Sequence, residues 1–102
     1  MIKIKIEKTD KFQVSQIIVE GHADIKKNKQ NPVCSAISSV VLGTVNTVNT
    51  IELNKWIEIV QKDGYIKFKL KKSNEKLNFL LLNLAIQLQT IALYYDKDVK
   101  LM

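Results

Sequence analysis

The sequence is short of several residue types, and each shortage excludes something. Its 102 residues hold one cysteine, one histidine, one proline and three glycines. One cysteine, Cys34, cannot close an internal disulfide, and a lone thiol fits a reducing compartment. One cysteine and one histidine fall short of the roughly four ligands of a closed zinc site, so no metal or other cofactor is expected. Arginine is absent: all 16 cationic side chains are lysine. Lysine meets phosphate as a point charge and lacks the bidentate fork that reads base edges. The net charge of +6 therefore suits a chain working near an anionic assembly, or a solvated lysine surface, better than a sequence-specific nucleic-acid reader. Nucleic-acid binding stays open but is not expected. No apolar run reaches bilayer length, so no membrane partner is expected. The opening "MIKIKIEKTD" alternates apolar and charged residues, unlike a signal peptide, and a cytoplasmic protein is expected.

What is present is a hydrophobic share of 46% with 25% charged residues, the composition of one small globular domain over residues 1–102. Its core is modest enough that a second subunit would help it. Ile2, Ile4 and Ile6 alternate with Lys3, Lys5 and Glu7, the period of a half-buried strand. Thr9 to Lys11 reads as a turn, and Phe12 to Glu20 as a second strand that Gly21 breaks. Ala23 to Gln30, with three lysines, reads as an exposed loop. Asn31-Pro32 then starts a helix, with Asn31 as cap and Pro32 at the first helical position. Val33, Ile37, Val40, Val41, Thr44, Val45 and Val48 carry it to about Thr50 at three- and four-residue steps. Trp56 to Gln61 and Tyr65 to Leu70 form a hairpin around Lys62-Asp63-Gly64. Ser73-Asn74 caps a second helix striped by Leu77, Leu80, Leu81, Leu84, Leu88, Ile91 and Tyr95. The closing "DVKLM" reads as a short edge strand. The order β-β-α-β-β-α-β predicts an α/β (α+β) two-layer fold: a mainly antiparallel sheet, both helices on one face and lysines on the other.

His22 and Cys34 are the residues with chemistry, twelve positions apart. Cys34 falls at the third helical position, near the positive end of the helix dipole, which favours thiolate. His22 follows the second strand directly, and the loop between lets strand end and helix start lie side by side. A thiolate that attacks a carbonyl and an imidazole that protonates the leaving amine make a cysteine nucleophile site, with helix-start N–H groups facing the oxyanion. Ser38, one turn on, lies on the same helix face. From spacing alone, bland alternatives stand beside each role: a small buried thiol, a turn histidine, a serine at a packed contact.

"GHAD" (Gly21 to Asp24) and "VCSAISSV" (Val33 to Val40), with "VNTVNTI" and "LQTIALYY" in the two helices, resemble the ribosomal-processing cysteine protease family. Its pattern is Gly-His-Ala, a short loop, Gly-x-Asp-Ile-Val-Cys, and a serine four residues past the cysteine. The resemblance implies a homodimeric cytoplasmic thiol endopeptidase, a hydrolase of ribosome biogenesis. It would remove the N-terminal extension of large-subunit ribosomal protein twenty-seven, cutting after an aromatic pair. It makes Cys34 the nucleophile and His22 the general base and acid, with Gly21, Asn31 and Ser38 in support. The chain departs from the pattern at Lys29, Asn31 and Pro32, where the family has glycine, aspartate, and isoleucine or leucine. Asn31 still caps a helix but carries no charge for an imidazolium. Two other classes compete: a non-enzymatic ribosome- or RNA-associated module using the lysine face, and a thiol-dependent acyltransferase or hydrolase of a small substrate.

Overall fold

In a computed structural model the chain is described over residues 1–21 and 32–102. Five strands, β1 (Ile2–Lys8), β2 (Val14–Glu20), β3 (Ile57–Lys62), β4 (Tyr65–Leu70) and β5 (Val99–Leu101), and two helices, α1 (Pro32–Thr50) and α2 (Glu75–Tyr94), follow in the expected order β-β-α-β-β-α-β. The strands make one sheet ordered β3-β4-β2-β1-β5. Every neighbour pair is antiparallel except β1 with β5, which runs parallel.

The alternation read in β1 sorts the sheet into two faces. Registers Ile4↔Val19, Val19↔Ile66, Ile17↔Phe68 and Ile57↔Leu70 stack apolar side chains on one face, and Ile4, Ile17 and Phe68 are fully buried there. The opposite face carries Lys3, Lys5, Lys67 and Lys69 with Glu7, Glu20 and Glu58, set among the half-buried Ile18, Val60 and Tyr65. Lys67 Nζ meets Glu58 Oε1 at 2.9 Å, and Lys5 Nζ meets Glu7 Oε1 at 3.3 Å, so part of that positive charge is locally balanced.

Two strand starts differ from expectation. β2 begins at Val14, because Asp10 Oδ1 accepts the N–H groups of Phe12 and Gln13 at 2.9 and 3.0 Å and holds Phe12 in the turn, largely exposed. The pairing then shifts between Glu7 and Lys8, leaving Ser15 as an extra residue on β2. Such a bulge resets the alternation, and Val14 joins the core. β3 begins at Ile57, because Asn54–Trp56 closes a single 3₁₀ turn; the Trp56 carbonyl accepts from the Lys71 N–H at 2.8 Å.

α1 spans the residues that the periodicity indicates and buries Val33, Ile37, Val41, Thr44 and Val48. A helix rich in Val and Thr has poor intrinsic propensity, so packing carries it. The Thr44 hydroxyl, although buried, donates to the Val40 carbonyl at 2.7 Å. In α2 the Asn74 side chain accepts from the N–H groups of Lys76 and Leu77, and Leu77, Leu81, Leu84 and Leu88 are buried completely or nearly so. Each contributes about 1.5–3 kcal/mol by leaving water. At 19 and 20 residues, both helices are long and apolar enough to cross a bilayer, so the sequence reading excludes a membrane on too little. α1 and α2 contact each other, and their buried stripes join one core with the sheet.

Candidate active site

Cys34 stands at the third position of α1, half-buried and packed against the core. The first turn of α1 holds no acidic residue. The thiol lines a cavity of about 280 Å³, just under the roughly 300–1,000 Å³ of small-molecule sites and of a size for one or two side chains. Its floor is apolar: Ile2, Val19, Ile37, Val41 and Ile66. Ser38, one turn beyond Cys34 and exposed, lines the same cavity, as the helical spacing implies.

Gly21 also lines it, and there the local backbone explains the residue. Its φ is +96°, and a Cβ would overlap the Met1 carbonyl oxygen, so only glycine fits without strain. The Gly21 N–H donates to the Gly64 carbonyl at 2.9 Å. That bond ties the end of β2 to the β3–β4 turn, where Gly64 takes φ +68°. The sequence reads Gly21 as a strand breaker and, by resemblance, as a supporting residue; the structure places it on the cavity lining.

His22, the residues Ala23 to Gln30 expected as a loop, and the expected cap Asn31 lie outside the described residues. Gly21, the residue before His22, and Cys34, three residues after Asn31, both border the cavity. Among the described residues no three His, Cys, Asp or Glu side chains converge as a metal site would require.

The sequence reading missed the other wall. Gln61, Lys62, Gly64 and Tyr65, together with Leu42 from α1, complete the lining. Nothing local announces this, because Lys62-Asp63-Gly64 reads only as a turn. The missing link is the Gly21–Gly64 bond between segments far apart in sequence. The result is a thiol at a helix start, beside an apolar cavity whose rim is a hairpin end, which suits attack on an extended chain with one apolar side chain buried.

Comparisons with known proteins agree with that chemistry. The family model for cysteine protease Prp matches residues 1–100. The ribosomal processing cysteine protease Prp of Staphylococcus aureus is 27% identical over 104 residues, covering 99% of this chain and 97% of the relative. The crystal structure of that S. aureus protease with a covalently linked product peptide superposes with a TM-score of 0.83 at 28% identity, covering 99% of this chain and 97% of the other. Its complex with a substrate peptide gives 0.81 at 27% identity, covering 100% and 98%. The thiol, its cavity and a match along nearly the whole chain place this protein in the cysteine protease Prp family.

Proposed function

We propose that this chain is a cytoplasmic endopeptidase of ribosome maturation, trimming the N-terminal extension from the precursor of large-subunit ribosomal protein twenty-seven. Cys34 is the nucleophile and His22 the base and acid. The observation that carries the reading is Cys34 at the start of α1, opening on an apolar cavity, in a chain so similar to a protease crystallised with a covalently linked product peptide.

The chemistry runs in two halves. His22 takes the thiol proton, and the Cys34 sulfur attacks the scissile carbonyl carbon. A helix N-terminus, where the thiol sits, is a positive dipole end of the kind that stabilises an oxyanion. Collapse breaks the C–N bond, His22 protonates the leaving amine, and a thioester remains on Cys34. Water, deprotonated by His22, then attacks the thioester and frees the N-terminal peptide as its carboxylate, restoring the thiol. Ser38 borders the same cavity and supports the site together with Asn31; Gly21 sets the strand end. Lys29, Asn31 and Pro32 alter rate and fit to substrate rather than reaction type.

A homodimer is part of this reading. α2 leaves Phe79, Ile86 and Leu93 exposed at seven-residue intervals, with Tyr94 beside them, an apolar ridge of the kind that a second helix covers. The RNA-module alternative rests on net charge, and the paired Lys5 and Lys67 with one aromatic, Tyr65, on the lysine face make that face a poor stacking platform.

The test is cleavage. The ribosomal precursor from the same organism is incubated with wild type and with Cys34→Ala, and product masses are read. Release of one short N-terminal peptide by wild type alone is expected. An intact precursor carrying the extension, or equal cleavage by Cys34→Ala, refutes the reading.

A further inference from the structure

Among the described residues β3 pairs with β4 alone, so it forms an edge of the sheet. In an antiparallel pair, alternate residues turn both N–H and C=O toward the neighbour and the residues between turn them away. Two bonds fix which are which. The Lys71 N–H donates to the Trp56 carbonyl at 2.8 Å, and the register continues as Ile57↔Leu70. Residues 56, 58, 60 and 62 thus face β4. At the other end the Gly21 N–H donates to the Gly64 carbonyl at 2.9 Å. Gly64 faces β2, so Ile66 does too, and its β3 partner Gln61 is turned away from β4. Both ends agree that Ile57, Ile59 and Gln61 direct their backbone groups outward from the sheet.

This edge has few of the devices that blunt exposed strands. The sequence IEIVQK has no proline, its one lysine is at the end, and its register with β4 has no shift. Gln61 belongs to two features at once. Its main chain opens onto the free edge, while it lines the cavity together with Cys34 and Ser38. Edge and cavity therefore meet at one residue.

We propose that the peptide substrate binds as a sixth strand on β3, pairing its backbone with Ile59 and Gln61, and so lowers an apolar side chain into the cavity beside Cys34. Strand addition draws affinity from main-chain bonds and leaves selection to the pocket that receives alternate side chains. It also explains why the β3–β4 turn lies at the site: the turn fixes where the added strand ends. This inference rests on the protease reading above.

The experiment uses a synthetic peptide of the precursor N-terminus and a series in which each amide N–H in turn is replaced by an ester oxygen. The expected result is a period-two pattern in kcat/KM. Esters at the paired positions lower it about five- to tenfold each, the worth of one net hydrogen bond, and esters between them leave it unchanged. On the protein side, Gln61→Pro removes one outward N–H and no β3–β4 bond, a substitution that sheet edges tolerate. It is expected to raise KM about five- to tenfold above Gln61→Ala, which keeps the N–H. Iodoacetamide alkylation of Cys34 at the wild-type rate in both variants shows an intact site. Cleavage with a flat ester scan overturns strand addition and leaves the protease reading standing. No cleavage of the parent peptide overturns both. A dimer that Gln61→Pro dissociates, with peptide kinetics unchanged, assigns the edge to a second copy and overturns the proposal.

Discussion

Two glycine-to-alanine changes, the same chemical edit, should act with opposite sign. At Gly21 the backbone holds φ +96° and a Cβ would overlap the Met1 carbonyl oxygen. The dihedral alone costs about 1–3 kcal/mol for a residue with a side chain. Relief of the overlap must move backbone, since the obstacle is a carbonyl of the chain beside it. The sum is about 2–4 kcal/mol, a large part of the roughly 5–15 kcal/mol that holds a domain folded. At about 4–8 °C per kcal/mol for a chain near this size, Gly21→Ala should melt roughly 8–32 °C below wild type. Gly43 lies inside α1, exposed, with nothing within 4 Å of an added Cβ. There alanine gains the helix-propensity difference of about 0.8–1 kcal/mol, and Gly43→Ala should melt about 3–8 °C above wild type. Urea denaturation followed by circular dichroism measures both, with an unchanged m-value showing that stability alone has moved. A Gly21→Ala protein within about 0.5 kcal/mol of wild type, or two variants that shift alike, refutes the account of Gly21.

Three further outcomes follow from features already described. Asn74→Ala removes the acceptor for two N–H groups of α2 and should cost about 1 kcal/mol, largely restored by Asn74→Ser; an unchanged urea midpoint would sink the capping account. Phe68→Ala empties the centre of the buried sheet face and should cost about 3–5 kcal/mol, read by the same titration. The hydrogen bond and charge of Lys67 hold the Glu58 carboxyl below its usual value, and the hydrogen bond to Glu58 holds the Lys67 ammonium above its own. Stability from the lowered carboxyl is present above its unfolded value and lost as pH falls through the folded one. Stability from the raised ammonium is present below its unfolded value and lost as pH rises through the folded one. The Tm gap between wild type and Glu58→Gln should therefore be level across neutral pH and close below about pH 4 and above about pH 10.5. It should also shrink in 1 M salt, because both groups are partly exposed; a gap indifferent to pH and salt refutes the pairing.

Much of this fold is legible locally. Ile2, Ile4 and Ile6 show their face by alternation, and Leu77 through Leu88 by helical spacing, because each pattern repeats within a few residues. Pro32 marks the start of α1 for an equally local reason. Phe12 and Trp56 misplace two strand starts, since an Asp10 side chain and a 3₁₀ turn outbid β-propensity there. At the site, Cys34 and Ser38 stand out because one helix face carries them. Gln61, Lys62 and Tyr65 do not, because their part depends on a hydrogen bond between Gly21 and Gly64 that no periodicity encodes.

The parallel pair of β1 and β5 has a bearing on how the chain assembles. Ile2, Lys3 and Ile4 align with Val99, Lys100 and Leu101, and the Ile2 and Met102 N–H groups donate to Asp98 and Ile4 carbonyls at 2.8 Å. Hairpins β1–β2 and β3–β4 close over short loops, whereas this seam joins nearly opposite ends of the sequence and meets the greatest closure entropy in the sheet. Such distant pairings come late on the route to the native state. β5 is accordingly a latch: last to set, first to open, and the place where slow proton exchange should yield earliest when the molecule breathes.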